Sequence, residues 1–350
     1  MNTLHENGSA LRIALGLACF IIIVAGMKAA ATIIVPFLLS AFIAIICAPI
    51  INSLQNRGMP MWIALATVVG LIAIFGTLII SILGNSIHSF SIQLPEYQSR
   101  LQGEINQFFA WLKGYGIDGF DAELRQYINP NAALGFVGRI FNGLGSLLAS
   151  SFLIFLTVMF LLFEGVALKD KMITIYGDAA EQTEQISEFL QSVNKYMAIK
   201  SMTSFATGLL IALWVWMLGV DYPLLWGLLA FLLNYIPNIG SIIAAIPAVM
   251  LALVTGGPVI ALWVVVGYLL VNTLVGNIIE PKFLGDRLGL STLVVFLSLV
   301  FWGWVLGTTG MFLSVPLTMV VKLALETHPE TRWIAVLLGT GKITPEEAEM

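Results

Sequence analysis

The sequence predicts an all-α protein that crosses a lipid bilayer several times. Hydrophobic residues occupy 59% of its 350 positions and charged residues only 10%, against about 25% in soluble domains. The mean hydropathy is +0.94, and the apolar residues fall in runs long enough to cross a bilayer as helices. In the polar segments between these runs, apolar residues recur every three or four positions, which indicates amphipathic helices.

Six apolar runs have the length of a single membrane-spanning helix. They cover residues 11–27, 29–51, 61–83, 144–163, 202–218 and 259–277. Two further runs, 223–254 and 290–321, are each too long for one crossing and too short for two crossings with a loop. We therefore predict six full spans plus two re-entrant helical hairpins, with eight full spans as the alternative.

Two polar segments separate the spans. In the first, 85–142, apolar residues from Leu94 to Leu112 recur at intervals of three and four, which predicts an amphipathic helix. A second short helix, with Asp121 as its N-cap, follows it. The other segment, 166–200, has the same periodicity and predicts a helix that lies along the membrane or on a neighbouring subunit.

The distribution of lysine and arginine orients these segments. With six spans and two hairpins, eleven of the 16 basic residues face the cytoplasm; with eight spans, nine do. The first arrangement fits the positive-inside rule better and places both termini in the cytoplasm. The predicted regions are three scaffold spans (1–84), an extracytoplasmic helical insert (85–142), the fourth span (143–165), a cytoplasmic amphipathic helix (166–200), a transport region (201–321) and a cytoplasmic tail (322–350).

The two long runs resemble each other and indicate an internal repeat. One reads GVDYPLLWGLLAFLLNYIPNIGSIIAAIPAVM from Gly219, and the other reads GLSTLVVFLSLVFWGWVLGTTGMFLSVPLTM from Gly289. Each has an apolar first arm, a polar centre with glycine and a second arm with a proline. Because one full span lies between them, the hairpins enter the membrane from opposite faces. Such inverted repeats are typical of secondary transporters, whose sites lie at broken helices near the midplane.

The polar centres of the two hairpins are the predicted solute-binding site. Non-helical backbone at membrane depth is tolerated only where protein or a water-filled cavity covers it, and its free polar groups can then bind a ligand. Amide and hydroxyl side chains add further donors and acceptors. The candidate residues are Asn234, Pro237, Asn238, Gly240, Ser241, Thr308, Thr309 and Gly310. The alternative is that the prolines only kink the helices and the amides only join neighbouring helices.

Asn277 and Glu280, at the end of the sixth span, are candidates for coupling transport to a proton or a sodium ion. A carboxylate near a cavity in the membrane is a natural partner for either cation. The alternative is that Glu280 only anchors the following loop through Lys282 or Arg287. The sequence contains no phosphate-binding loop, zinc-hydrolase motif or basic stripe, so we expect no enzymatic activity, metal, other cofactor or nucleic-acid partner.

Two stretches resemble the autoinducer-2 exporter family of bacterial membrane proteins. They are LLNYIPNIGSIIAAIPAVMLALV and GNIIEPKFLGDRLGLSTLVVFLSLVFWGWVLGTTGMFLSVPLT, with IPNIG and IIEPKFLG as the most specific motifs. The resemblance extends over the whole chain in layout. It implies a protein of the bacterial inner membrane that exports the quorum-sensing signal autoinducer-2 or exchanges sodium for protons, and that assembles into homo-oligomers.

From these features we expect a secondary transporter that exports a small polar solute by alternating access, with autoinducer-2 as the first candidate. Two alternatives stay open. One is a sodium–proton antiporter in which Glu280 takes up and releases the proton. The other is an oligomeric channel or scaffold that carries out no transport. The expected partners are the solute, the lipid bilayer and further copies of the chain.

Overall fold

A computed structural model describes the backbone of residues 2–114, 135, 138, 145, 150–176, 180–237, 239–284, 290–326 and 331–339. Within these ranges the described side chains exclude those of residues 2–14, 108–109, 111–112, 166–190 and 284. The predicted N-cap Asp121, the tip residue Asn238 and the loop residue Arg287 lie outside the described residues. All regular secondary structure in the described ranges is helical, as the sequence predicts.

Helices follow one another along the described ranges from the N-terminal side to the C-terminal side. They are α1 (Asn2–Ala29), α2 (Ala31–Asn56), α3 (Met61–Gly114), α4 (Ser151–Tyr176), α5 (Ala180–Met217), α6 (Pro223–Leu233), α7 (Gly240–Val271), a π-helix (Asn272–Ile279), α8 (Glu280–Leu284), α9 (Thr292–Phe312), α10 (Ser314–Glu326) and α11 (Arg332–Leu338).

Within the described residues, five stretches are long and apolar enough to cross a membrane. They are Ala31–Asn56, Met61–Gln107, Gln191–Met217, Gly240–Phe283 and Thr292–Phe312. Three shorter apolar helices accompany them: Leu15–Ala29, Ser151–Gly165 and Pro223–Leu233. These lengths and compositions are those of a helical protein with several membrane-spanning segments.

The predicted third span and the start of the predicted insert form one continuous helix. α3 runs through the polar residues near Asn85 and through Pro95 without a break. Four apolar or aromatic side chains, at intervals of seven and four, are buried along one face of this helix: Leu83, Phe90, Tyr97 and Leu101. Because this buried stripe continues past residue 85, packing keeps the segment helical where local polarity suggests an end.

The chain forms two compact units. Residues Met1–Ala44 and Gly289–Met350 make up one, which we call the terminal unit. Residues Ile45–Leu288 make up the other, the central unit. Each unit therefore contains one of the two predicted hairpins.

The first hairpin, in the central unit, consists of α6, a turn at residues 234–239 and the first part of α7. α6 has 11 residues and begins with Pro223 at its N-terminus. At a rise of about 1.5 Å per residue this helix is roughly 16 Å long, about half of a hydrocarbon core of about 30 Å. α7 is interrupted at Gly257, which has a non-helical φ of 75° and directly precedes Pro258.

The second hairpin, in the terminal unit, consists of α9 and α10. Gly307 interrupts α9 with φ 69° and ψ −151°, at the start of the predicted polar centre. Trp302 in the first arm donates a hydrogen bond from Nε1 to Thr318 Oγ1 in α10, at 3.1 Å. The tryptophan and threonine side chains are buried, so this bond ties the two arms together in an apolar environment.

A glycine permits the same close backbone contact in both hairpins. A Cβ added to Gly240 would overlap the carbonyl group of Leu233, at the end of the preceding helix. A Cβ added to Gly310 would overlap the carbonyl group of Trp302 in the same way. In the first hairpin α7 thus starts against the end of α6, and in the second the part of α9 after the kink at Gly307 packs against the part before it, which supports the internal repeat seen in the sequence.

A glycine pair also sets the distance between α5 and α6 in the central unit. A Cβ on Gly208 would lie 2.7 Å from the carbonyl oxygen of Gly227, and a Cβ on Gly227 would lie 2.6 Å from that of Gly208. Small residues at such crossings let membrane helices approach closely and gain van der Waals contact. This crossing positions the first hairpin on α5.

Substituting Gly227 with alanine should therefore destabilise the protein, because the added methyl group forces α5 and α6 apart. We expect a loss of about 1–3 kcal/mol, the usual cost of overpacking. Unfolding of the purified protein in mixed detergent micelles measures it. The matched control is Gly70→Ala, since a Cβ on this helical glycine meets no atom within 4 Å. Equal stability of the two variants would contradict the close crossing.

Candidate functional site

One turn of α5 carries four polar side chains inside an apolar stretch. The turn reads KSMTS from Lys200 to Ser204, and we call residues 200–204 the polar turn. Lys200, Thr203 and Ser204 are buried, and Ser201 is partly buried. The turn belongs to the candidate membrane span Gln191–Met217. Polar side chains in such a place need partners, because buried polar groups without hydrogen bonds are costly.

The tip of the first hairpin binds one side of the polar turn. The Asn234 side chain donates a hydrogen bond from Nδ2 to Ser204 Oγ at 2.9 Å. The next residue, Tyr235, donates from its hydroxyl group to Ser201 Oγ at 2.7 Å. Residues three apart lie on the same face of a helix, so two adjacent tip residues match two serines one turn apart. The end of α6 is thereby held on α5.

Glu280 binds the other side of the polar turn. Its two carboxylate oxygens lie 2.7 Å and 2.9 Å from Lys200 Nζ. Thr203 Oγ1 lies 3.4 Å from the carboxylate and 3.1 Å from the carbonyl oxygen of Lys200. The lysine side chain is 6% exposed and the glutamate side chain 17%. An ammonium and a carboxylate so deeply buried persist in a membrane protein only when they neutralise each other.

The backbone before Glu280 is unusual. Residues Asn272–Ile279 form a π-helix, and Glu280 directly follows it. A π-helix closes i→i+5 hydrogen bonds in place of i→i+4, so it changes the direction in which the following side chains point. Short π segments of this kind occur frequently at functional sites.

The ion pair differs from the contacts that the sequence offered for Glu280. The predicted alternatives were Lys282, two residues away, and Arg287 in the following loop. The structure pairs Glu280 with Lys200, 80 positions earlier in the chain, and leaves Lys282 exposed. The pair therefore joins α5 to the end of the sixth apolar run and does not act as a local loop anchor.

The other predicted site residues differ in how far they are buried within the protein. Asn234 and Gly240 are buried in the first hairpin, and Pro237 and Ser241 are partly buried there. In the second hairpin, which belongs to the terminal unit, Thr309 and Gly310 are buried and Thr308 is exposed. Asn277 is exposed within the π-helix. Of the predicted residues, Asn234 and Glu280 share the polar turn as their binding partner.

The residues of the polar turn were not predicted as site residues. In the sequence, Lys200 looks like a basic residue that marks the end of a span. The signal was nevertheless present, because KSMTSFAT places polar side chains at 200, 203, 204 and 207 in an otherwise apolar helix. That spacing of three and four defines one polar helical face, which indicates a buried polar interface.

The broken hairpin and the polar turn place the protein in a class, and its relatives place it in a family. Broken apolar hairpins that pack on a charged turn are features of membrane transport proteins. Residues 17–330 match the family described as AI-2E family transporter. The chain belongs to this family, and its similar relatives carry the names of transport proteins.

Three relatives are similar over nearly their whole length. A putative transport protein of Haemophilus influenzae is 42% identical over 96% of this chain and 98% of its own length. The AI-2 transport protein TqsA of Escherichia coli K12 is 41% identical over 94% of this chain and 96% of its own length. The putative transport protein YhhT of Escherichia coli K12 is 35% identical over 98% of both chains.

Replacing Glu280 with glutamine should destabilise the folded protein strongly, since it leaves the Lys200 ammonium buried without a counter-charge. Removing one partner of a buried ion pair costs about 3–5 kcal/mol. Detergent-induced unfolding, followed by tryptophan fluorescence, measures the loss. The control is Glu326→Gln, because Glu326 pairs with Lys322 at 3.1 Å but is 44% exposed. There we expect at most about 1 kcal/mol. Similar losses in the two variants would refute a buried pair at Glu280.

Proposed function

We propose that this protein is a secondary transporter of the bacterial inner membrane that exports a small polar solute by alternating access, with autoinducer-2 as the solute. The observation that carries the proposal is the tip of the first hairpin, a broken apolar helix whose amide side chain binds a polar turn inside a candidate span. Secondary transporters place their sites at such interruptions. The name of TqsA, an AI-2 transport protein at 41% identity, supports the choice of solute.

The proposed solute contacts come from the two hairpin tips. Asn234, Pro237, Asn238, Gly240 and Ser241 provide them in the first hairpin, together with the backbone groups that the helix break frees. Thr308, Thr309 and Gly310 provide them in the second. Ser241 and Thr308 are the side chains to test, because they are partly buried and exposed, respectively, and a solute can reach them.

The proposed arrangement in the membrane is six full spans with two re-entrant hairpins and both termini in the cytoplasm. The length of α6 supports the first hairpin, since a helix of 11 residues is too short to cross the hydrocarbon core. The surplus of lysine and arginine on the cytoplasmic side supports the orientation. Further copies of the chain are the proposed protein partners.

The double variant Ser241→Ala/Thr308→Val should weaken solute binding without unfolding the protein. Each hydrogen bond contributes about 0.5–1.5 kcal/mol, so losing one raises the half-saturation concentration roughly two- to tenfold, and losing both raises it further. Efflux of labelled autoinducer-2 from proteoliposomes measures this. The control Thr67→Val removes an exposed hydroxyl group that bonds its own helix at Ile63 O, 2.8 Å away. Unchanged half-saturation in the double variant would rule out these contacts, and no efflux in the native protein would rule out autoinducer-2 as the solute.

Sodium–proton exchange is a second candidate function, and the Lys200–Glu280 pair favours it. A carboxylate that faces an ammonium can bind a proton or a sodium ion when the ammonium withdraws. Thr203 Oγ1 lies 3.4 Å from the same carboxylate and provides a further oxygen atom nearby. This charge pair gives the chain a group that can couple ion movement to solute movement.

Sodium added to proteoliposomes should then drive proton movement that depends on Glu280. A pH-sensitive dye inside the vesicles measures the flux, and Glu280→Gln should abolish it because glutamine has no titrating proton. Glu326→Gln serves as the control for a carboxylate outside the pair. Antiport is excluded if native vesicles show no sodium-dependent flux, and the role of Glu280 in it is excluded if Glu280→Gln leaves that flux intact. Electrical conductance without saturable flux would instead favour a channel.

A further inference from the structure

The polar turn of α5 binds two other parts of the chain, the hairpin tip and Glu280, through neighbouring side chains. Ser201 and Ser204 accept hydrogen bonds from the hairpin tip, while Lys200 and Thr203 bind Glu280. The two serines each follow the residue that binds Glu280 by one position, which corresponds to about 100° around the helix axis. The hairpin tip and Glu280 therefore bind neighbouring faces of the same rigid segment.

We infer that Ser201 and Ser204 are positioning residues for the hairpin tip, and that the polar turn couples their hold on the tip to the pairing of Glu280 with Lys200. The inference rests on the proposed transport function and assigns part of its mechanism. While Glu280 is ionised and paired, the turn stays in place and the tip stays bound. When the carboxylate is neutralised by a proton or occupied by another cation, the tip is released.

The coupling follows from the chemistry of the lysine side chain. An ammonium group has three donors and no acceptor, and at 6% exposure it has little access to water. Once Glu280 no longer accepts from it, Lys200 must find new acceptors or reach the aqueous face. Either change moves the turn that carries it. Since a hydrogen bond weakens steeply beyond its normal length, the bonds of 2.7 and 2.9 Å to the tip tolerate only a small displacement.

The simpler view is that the two sets of contacts are independent anchors that only stabilise the fold. Both views predict that each variant alone destabilises the protein, so stability does not separate them. They differ in how the two changes combine. If the turn couples the sites, removing Glu280 releases the tip, and removing the serines as well adds nothing. If the anchors are independent, the two effects on tip exposure multiply.

The experiment measures how fast a thiol at the hairpin tip reacts in the full-length protein. Cys19 and Cys47 are first replaced, and Ile239→Cys introduces one reporter next to the tip, at a partly buried position. A water-soluble maleimide then labels membranes without added solute. We expect Ser201→Ala/Ser204→Ala to raise the labelling rate about fivefold or more, because two hydrogen bonds to the tip are lost. Glu280→Gln should raise it similarly, and the combination should equal the serine variant alone.

The matched control is Thr207→Val, one turn further along the same helix. Thr207 is buried, but its hydroxyl group bonds the backbone oxygen of Thr203 in its own helix, at 2.9 Å, so labelling should stay at the native rate. If Glu280→Gln fails to fold, Glu280→Asp takes its place, because the shorter carboxylate loosens the pair and should raise labelling partially.

The outcomes separate this inference from the proposed function. Native labelling rates in the Glu280 variants, or rates that multiply in the combination, overturn the coupling. The same variants are also assayed for autoinducer-2 efflux. If the labelling rates show coupling but the native protein exports no autoinducer-2, the coupling by the polar turn is supported and the proposed solute is wrong. If efflux is saturable but the labelling rates show no coupling, the proposed transport function is supported and the coupling by the polar turn is wrong.

Discussion

The contact between Lys200 and Glu280 is the constraint on which the central unit depends. An ammonium and a carboxylate within candidate membrane spans are stable only together, because either charge alone would face a large desolvation cost. The pair joins residues 80 positions apart, and the first hairpin lies between them in the sequence. Closing this long loop with a charged contact fixes α5 against the end of the sixth apolar run. Ser201 and Ser204 of the same turn then face the hairpin tip.

Close backbone contacts determine how the hairpins themselves are built. Gly240 and Gly310 have the same role in their respective hairpins, since each lies against a backbone carbonyl group on the other side of the helix break. Gly208 and Gly227 hold α5 and α6 at the distance at which Asn234 reaches Ser204. Small residues thus bring helices together, and polar side chains fix their register. A larger side chain at these glycines would separate the groups that form the candidate site.

Local chemistry made some features predictable and hid others. Proline and glycine in IPNIG and GTTG mark helix breaks, and the structure interrupts its helices at both places. The length of α3 was missed because polar residues near Asn85 resemble an end, whereas tertiary packing of the stripe through Phe90 and Tyr97 continues the helix. The Lys200–Glu280 pair was missed because sequence shows only neighbours, and Lys282 is much nearer along the chain. The binding roles assigned to the tip residues stay predictions.

The most direct test of the account is a reversible covalent link between the polar turn and the hairpin tip. Ser204→Cys and Asn234→Cys replace the two hydrogen-bonded side chains in a chain without Cys19 and Cys47. After oxidation in proteoliposomes and confirmation of the disulfide by mass spectrometry, autoinducer-2 efflux is measured before and after reduction. The account predicts that the disulfide stops efflux and that reduction restores it, because the tip must leave the polar turn during transport. Efflux at an unchanged rate with the disulfide closed would contradict it.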